Sequence, residues 1–300
     1  MKVEEILTKL NNSGYLANKE IAYALLGAID SSVPLLVEGD PGVGKSSLAI
    51  AAAKALNVPV IRMQCYDGIT PDIMLYDYNY QLQLLVVSAI RDKLNAQMQD
   101  MTVEQCAKYV SENVEFYGER YLLHRPIYTA LTMPGRKILL IDEIDKASEE
   151  IENALLEVLS DFSISIPEYG TITCEPENRP VVILTSNRYR SLSEPLKRRC
   201  SYLYIRKKSR EEIEQILSLH IQGNQAFSAR IANYLVQIGN LDLQHPTSIS
   251  EGLDWAKFIL SHFDDTTDEG IRSNIEYTAA YLGKTEADIR KIINVVKKAS

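Results

Sequence analysis

The chain has 300 residues, of which 46% are hydrophobic and 24% charged, and its formal net charge is −8. This length and composition predict one large or two smaller globular domains with a sizeable core. The negative net charge argues against a general nucleic-acid-binding protein, although the chain could still carry a local basic patch. No apolar run is long enough to predict membrane insertion.

The first predicted elements surround a glycine-rich loop. Residues 18–28 have a helical pattern, residues 34–38 form a short apolar run typical of a buried parallel strand, and residues 47–56 are strong helix formers. Between the strand and the second helix, residues 39–46 fit the pattern G-x-x-x-x-G-K-[ST]. A chance glycine-rich turn rarely has this strand and this helix around it. We therefore predict a loop whose backbone N–H groups enclose the phosphates of a nucleotide at a helix N-terminus.

The side chains of this loop have predicted roles in binding ATP and Mg²⁺. Lys45 reaches the β- and γ-phosphates as a point charge, and the Ser46 hydroxyl ligates the metal ion. The adenine is expected near Tyr15 and Leu16. The predicted nucleotide-binding residues of the loop itself are Gly39, Asp40, Pro41, Gly42, Val43, Gly44, Lys45, Ser46 and Ser47.

Four more apolar runs follow, and helical patterns such as that of residues 149–159 alternate with them. This alternation is typical of a parallel sheet that helices cover on both faces. We therefore predict an α/β fold with a five-stranded parallel sheet. The four runs are residues 58–63, 137–142, 179–185 and 201–205.

Two stretches between the predicted strands are longer than simple connections. About 70 residues separate the second strand from the third, which is long for a crossover. Within this stretch, residues 66–134 are rich in tyrosine and are predicted to form an insertion with a hairpin and helices of its own. Residues 161–177 alternate in polarity, and we predict a second hairpin that turns near residues 168–170.

Two carboxylates stand at the end of the third predicted strand. Because neighbouring side chains of a strand point in different directions, Asp142 and Glu143 can have different functions. We expect Asp142 to hold Mg²⁺ through water, and Glu143 to orient and polarise the attacking water. An apolar run followed by two acids is also compatible with a strand and a solvated helix start, but the phosphate loop favours the catalytic interpretation.

Two further candidates follow the fourth predicted strand. Asn187 is expected near the γ-phosphate, because ligands bind at the carboxyl ends of strands in open α/β sheets, although a turn asparagine is the simpler alternative. Arg199, or the adjacent Arg198, is predicted to meet the γ-phosphate of a neighbouring subunit and to stabilise charge in the transition state. Nine basic residues and one acid lie between Asn187 and Arg210, so a solvated basic turn and a nucleic-acid-binding patch are alternative interpretations of this segment.

The pattern changes at residue 209, where Ser209 has N-cap chemistry and helices follow without a convincing strand. We predict a core of residues 1–208 and a helical domain of residues 209–300. The four scattered cysteines include no C-x-x-C pair, and the first residues are acidic and lack the apolar stretch of a signal peptide. These features favour reduced thiols and a cytoplasmic protein.

In this order, the motifs resemble those of the AAA+ ATPases. Residues 39–46 are similar to Walker A, residues 138–143 to Walker B, and Asn187 to sensor 1. Arg199 is similar to the arginine finger of the clamp-loader type, and the helical tail to the AAA+ lid. Four sequence strings that are less specific than the Walker motifs resemble the MoxR family, in particular its branch that includes the carbon monoxide dehydrogenase maturation ATPase. These strings are residues 64–68, 76–80, 142–147 and 194–200.

The resemblance implies a homo-oligomer, as a hexameric ring, that binds ATP between subunits and remodels or activates a client protein. It also implies a partner with a von Willebrand factor A domain, and nucleic acid is not an expected partner. Residues 245–255 lack the sensor 2 arginine that AAA+ lids usually carry. Either the lid senses the nucleotide weakly, or another residue such as Arg230 replaces that arginine.

Other classes of P-loop protein are alternatives. A nucleic-acid motor or clamp loader could use the same core, and a small P-loop kinase would transfer phosphate as a monomer. The chain contains no N-K-x-D pattern to read guanine, which argues against a GTPase.

Overall fold

The computed structural model describes residues 1–99, 101–114, 116–221 and 224–298. Strands and helices alternate as far as residue 205, and only helices follow among the described residues. The elements of the alternating part are α1 (Val3–Asn12), α2 (Lys19–Ser31), β1 (Leu35–Gly39), α3 (Lys45–Leu56), β2 (Val60–Gln64), α4 (Pro71–Met74), β3 (Asp77–Tyr78), α5 (Tyr80–Met98), α6 (Val103–Asn113), β4 (Leu122–Leu123), α7 (Pro126–Thr132), β5 (Ile138–Asp142), α8 (Glu149–Asp161), β6 (Ser163–Ile166), β7 (Gly170–Thr173), β8 (Val181–Ser186), α9 (Glu194–Arg198) and β9 (Ser201–Ile205). The later helices are α10 (Arg210–His220), α11 (Gln225–Gly239), α12 (Ile249–His262), α13 (Asp268–Thr278) and α14 (Glu286–Lys298).

Five strands form the central sheet in the order β2-β5-β8-β1-β9. Every neighbouring pair in this sheet runs parallel, which confirms the predicted α/β fold with a five-stranded parallel sheet. Because the strands are parallel, the loops that follow β1, β5 and β8 all leave the same edge of the sheet. That edge is where an open α/β sheet binds its ligands.

Two apolar layers cover the sheet, because its strands carry aliphatic side chains on both faces. On one face, α1, α2 and α3 pack against residues that include Leu35, Leu140 and Ile183. On the other face, α7, α8 and the hairpin of β6 and β7 pack against residues that include Leu139 and Leu184. The sheet is therefore a rigid base for the loops at its carboxyl edge.

The predicted insertion contains helices, but its antiparallel strand pair is not a hairpin. Asp77 of β3 lies opposite Leu123 of β4, and α5 and α6 lie between the two strands. The hairpin prediction is wrong here, because a pair between distant segments leaves no turn signal in the sequence. Residues 100 and 115 of the insertion lie outside the described residues.

The second predicted hairpin is present, and it contacts the insertion. β6 and β7 pair antiparallel, with Ile166 opposite Gly170. The Tyr78 hydroxyl, in the insertion, donates to the Pro167 carbonyl at the turn of this hairpin at a distance of 2.9 Å. The insertion and the hairpin are therefore in contact, and their apolar side chains belong to the same core on this side of the sheet.

The helical tail has an apolar core of its own, in which Phe227 and Trp255 are fully buried. Two of its helices begin with a capping box, in which Ser209 pairs with Glu212 at α10 and Ser248 with Glu251 at α12. No helix in the described part of the chain is long and apolar enough to cross a membrane. Of the predicted helical domain, residues 222–223 and 299–300 lie outside the described residues.

Candidate functional site

The loop between β1 and α3 adopts a conformation that requires glycine. Gly42 and Gly44 have φ angles of +79° and +96°, which glycine reaches without strain. A Cβ atom on Gly42 would lie 2.8 Å from the Cβ of Ser248, so the loop and the start of α12 approach closely only because Gly42 has no side chain. The loop leads directly into the N-terminus of α3, where free N–H groups and the helix dipole favour an anion.

Lys45 is the first residue of α3, and only 6% of it is exposed. Its ammonium donates to the carbonyl oxygens of Gly39 and Asp40, both at 2.8 Å. Burial lowers the pKa of Lys45, and nearby carboxylates, of which Asp145 has the largest effect, oppose that shift. The cation is thus held by two neutral carbonyl groups, which a negatively charged phosphate can replace as the preferred partner.

Asp142 ends β5 beside Ser46, and it is only 2% exposed. The hydroxyls of Ser46 and Thr185 both donate to Oδ1 of Asp142, each at 2.6 Å. A hydroxyl that donates its proton keeps its oxygen lone pairs, so Ser46 and Asp142 together offer the hard oxygen ligands that Mg²⁺ prefers. The donor set at this point therefore fits a magnesium ion.

Glu143 follows β5 with a φ of +57°, a conformation that non-glycine residues adopt rarely and often at functional sites. Its carboxylate accepts hydrogen bonds from Gln64 Nε2 at 2.8 Å and from Asn187 Nδ2 at 3.3 Å. Lys146 forms an ion pair with the same carboxylate at 2.8 Å. The predicted water-activating residue and the predicted sensor are therefore in direct contact.

Asp145 is a residue that the sequence analysis did not single out. Its Oδ2 atom accepts the backbone N–H of Asn187 at 3.0 Å and that of Tyr189 at 2.9 Å. The carboxylate is 2% exposed, so it fixes the loop after β8 from the inside. The available signal was a third acid close behind the pair of Asp142 and Glu143.

Strand β2 contributes two polar side chains that the sequence analysis also missed. Arg62 donates from Nε and Nη2 to Oδ2 of Asp142, at 3.1 and 2.6 Å, and from Nη2 to Oε1 of Gln64 at 2.7 Å. Gln64 in turn donates to Glu143. Arg62 and Gln64 are two residues apart in an otherwise apolar strand and share one of its faces, and this alternation could have revealed them.

The two predicted arginine-finger residues lie at the end of α9, and neither lines the cavity that contains Lys45. Arg199 donates to the Ser160 hydroxyl and, at 3.0 Å, to the Pro195 carbonyl. Arg198 is exposed and forms no hydrogen bond or ion pair with the part of the chain that the structure describes. Among the described residues, the guanidinium of Arg198 therefore has no partner, whereas that of Arg199 does.

Tyr15 and Leu16, the predicted adenine contacts, line a second cavity that adjoins the phosphate loop. His220 of α10 and Lys208, the latter from the segment before α10, line the same cavity. Burial raises the pKa of the Tyr15 hydroxyl and lowers that of the Lys208 ammonium. The cavity therefore has walls from the N-terminal segment, from the loop and from the helical tail.

Arg230, the suggested substitute for the sensor 2 arginine, is not brought to either cavity. It pairs with Asp268 at 3.5 Å and donates to the Thr266 carbonyl at 3.3 Å, within the helical tail. Among the described residues of the tail, Ser250 is the one that lines the cavity around Lys45.

Residues 34–200, more than half of the chain, match the family model of the AAA domain (dynein-related subfamily). A search of curated proteins finds no match. Among solved structures, a point mutant of RuvB from Thermotoga maritima is 17% identical, with a TM-score of 0.46, over 92% of this chain and 68% of that chain. A second RuvB mutant and the RuvB Holliday junction branch migration motor are each 16% identical over 92% of this chain and 67% of theirs, with TM-scores of 0.45 and 0.44.

Proposed function

Since this chain belongs to the dynein-related subfamily of AAA domains, we propose that it is a Mg²⁺-dependent ATPase that hydrolyses ATP to ADP and phosphate. One observation carries the proposal: a single cavity has walls from the phosphate loop, from the end of β5 and from the end of β8. A lysine, a hydroxyl, two carboxylates and an amide line this one space, as phosphate transfer to water requires. These residues are Lys45, Ser46, Asp142, Glu143 and Asn187.

In the proposed mechanism, Lys45 and the loop amides bind the β- and γ-phosphates. Ser46 and Asp142 hold Mg²⁺, which when bound offsets negative charge on the phosphate oxygens. Glu143 orients the attacking water, and Asn187 contacts the γ-phosphate. Because Glu143 and Asn187 share a hydrogen bond, the loss of the γ-phosphate after hydrolysis changes the surroundings of both residues, which lets the site act as a switch.

We infer that an arginine from an adjacent copy completes the site. Arg198 is the better supported candidate, because Arg199 is held by Ser160 and Pro195 of its own chain. An arginine that acts on the neighbouring subunit requires head-to-tail contacts, which form a closed ring when the rotation between subunits closes. The hexamer is the ring size that the resemblance implies.

The finer proposal is a MoxR-like chaperone that remodels or activates a client protein together with a partner that has a von Willebrand factor A domain. It rests on the strings at residues 64–68, 76–80, 142–147 and 194–200, and the subfamily match is compatible with it. All four cysteines are free, which supports a reducing compartment, and we propose the cytoplasm.

A nucleic-acid motor is the alternative, and the basic segment between residues 188 and 210 gives it little support. Sequence-independent binding to DNA needs cations that are free to meet phosphates. Six of the nine basic residues in this segment instead pair with carboxylates of the chain. These six are Arg188, Arg190, Lys197, Arg206, Lys207 and Arg210. Stimulation of ATP hydrolysis by DNA, with a steep salt dependence, would favour the motor.

The substitution Glu143→Gln tests the ATPase proposal. Glutamine keeps the size of the side chain but cannot polarise water, so we expect phosphate release to fall by at least about 100-fold while ATP binding persists. Release of inorganic phosphate and equilibrium binding of labelled ATP are the two measurements. Glu149→Gln, on the exposed start of α8, is the matched control. Hydrolysis by the Glu143 variant at the rate of the control would contradict the assigned role.

A further inference from the structure

Arg62 is the one cation in the described ranges that is hydrogen-bonded to the carboxylate of the magnesium site. We propose that Arg62 sets the Mg²⁺ affinity of the site by neutralising part of the charge of Asp142. This inference rests on the proposed function, because it assigns the metal to Ser46 and Asp142. It adds a residue of β2 that acts on the metal through Asp142.

The two oxygens of Asp142 have separate partners. Oδ1 accepts the hydroxyls of Ser46 and Thr185, whereas Oδ2 accepts both hydrogen bonds from Arg62, the shorter at 2.6 Å. The Oδ1 side faces the predicted metal ligand, and the Oδ2 side carries the guanidinium. The guanidinium of Arg62 therefore contacts the oxygen of Asp142 that Ser46 does not contact, and it leaves the Ser46 side of the carboxylate accessible.

Loss of Arg62 should change the electrostatic potential at Asp142 more than the orientation of its carboxylate. The two hydroxyls on Oδ1 keep the carboxylate in place when Arg62 is removed, since neither of them contacts Arg62. What disappears is a full positive charge, within hydrogen-bond distance of a carboxylate that is 2% exposed. Because like charges repel, an arginine at this position disfavours a second cation at Asp142, and its removal should favour one.

Solvent limits the size of the effect. The side chain of Arg62 is 54% exposed, so water and salt screen part of its charge. We therefore expect Arg62→Met to bind a divalent cation about tenfold more tightly than the natural chain, and not several orders of magnitude more tightly. Arg62→Lys keeps the positive charge but loses the forked geometry, so its affinity should stay close to that of the natural chain.

Mn²⁺ binding in the presence of ADP tests the proposal without a measurement of activity. The free Mn²⁺ signal in electron paramagnetic resonance gives the dissociation constant for each variant. Arg62→Gln is the second neutral variant, in case the methionine variant does not fold, and Arg91→Met removes the same charge from the exposed surface of α5. We expect tighter binding for both neutral variants of Arg62 and no change for Arg91→Met.

The possible outcomes separate this inference from the proposed function. Equal or weaker Mn²⁺ binding by the neutral variants of Arg62 would overturn the inference and leave the ATPase proposal intact. An equally large gain for Arg62→Lys would also overturn it, because geometry and not charge would then be responsible. A natural chain that binds no Mn²⁺ with ADP would overturn the proposed metal site itself.

Discussion

Among single residues, Asp145 connects two of the loops that form the site. Its carboxylate follows β5 in the chain, and it accepts two backbone N–H groups of the loop that carries Asn187. The amide of Asn187 in turn contacts Glu143 at 3.3 Å. The position of the predicted sensor, Asn187, thus depends on a buried acid that has no direct part in the proposed chemistry.

We expect Asp145→Ala to lower kcat by roughly tenfold or more and to leave ATP binding largely unchanged, because a displaced Asn187 no longer positions Glu143 and the γ-phosphate together. Two N–H groups lose their acceptor, so the free energy of unfolding should fall by about 1–3 kcal/mol. Phosphate release, ATP binding and denaturant unfolding measure the three effects. Asp30→Ala, on the exposed end of α2, is the control. A normal kcat in a folded Asp145 variant would show that Asn187 does not depend on this carboxylate.

Single residues of the site differ in how far the sequence predicts their roles. Lys45 and Ser46 belong to a contiguous pattern, so their proposed roles could be stated from the sequence alone. The contact between Arg62 and Asp142 joins residues 80 positions apart, and it exists because β2 and β5 are neighbours in the sheet. No local pattern specifies that order of strands, so the partner of Arg62 could not be predicted.

Among the elements, α9 is held in place by α8 through Glu152. This glutamate is fully buried, pairs with Arg190 and accepts the backbone N–H of Ser193 at 2.8 Å. Arg190 also donates from Nε to the Ala147 carbonyl at 2.9 Å. Ser193 is the N-cap residue of α9, so the same carboxylate fixes the start of the helix that ends at Arg198.

Glu152→Gln should therefore affect the proposed arginine finger more than the proposed nucleotide pocket. Glutamine still accepts the Ser193 N–H, but Arg190, which is 31% exposed, loses its counter-charge, so the free energy of unfolding should fall by about 1–3 kcal/mol. ATP hydrolysis should decrease several-fold while ATP affinity stays the same, because α9 lies outside the cavity of its own chain. Denaturant unfolding, phosphate release and ATP titration test this, with the exposed Glu150→Gln as the control. Weaker ATP binding would show that α8 also supports the pocket.

The elements differ in how well the sequence predicts them, for a physical reason. The strand predicted at residues 201–205 is observed as Ser201–Ile205 at the edge of the sheet, where Leu203 and Ile205 are buried and Tyr202 and Tyr204 are exposed, an alternation that is visible in the sequence. The helix predicted at residues 47–56 begins two residues earlier, at Lys45, since Gly44 acts as its N-cap residue. The pairing of β3 with β4 was missed, because it depends on how α5 and α6 return the chain and not on any turn.

At the scale of the whole molecule, the cavity and the proposed finger lie in different parts of the surface. Lys45, Glu143 and Asn187 line the cavity at the carboxyl edge of the sheet, while Arg198 projects from the end of α9 without a partner among the described residues. In the part of the chain that the structure describes, one copy therefore has a phosphate-loop cavity that no arginine lines and an exposed arginine without a partner. The proposed head-to-tail assembly would bring the two together.

A mixture of two inactive variants tests this arrangement. Lys45→Ala subunits should not bind ATP but keep Arg198, whereas Arg198→Ala subunits should bind ATP but lack the finger, so each protein alone should release little phosphate. In random rings formed from equal amounts, roughly a quarter of the seams join an intact site to an intact finger, and we expect about that fraction of the natural rate. Replacing Arg198→Ala by Arg199→Ala in the same mixture identifies which arginine acts.

The control mixes Arg198→Ala with a subunit that carries both substitutions, in which no seam is complete and no recovery should occur. If the first mixture were no faster than its two components measured separately, the proposed arrangement would be contradicted. Seams between an intact site and an intact Arg198 supply everything that each variant lacks alone.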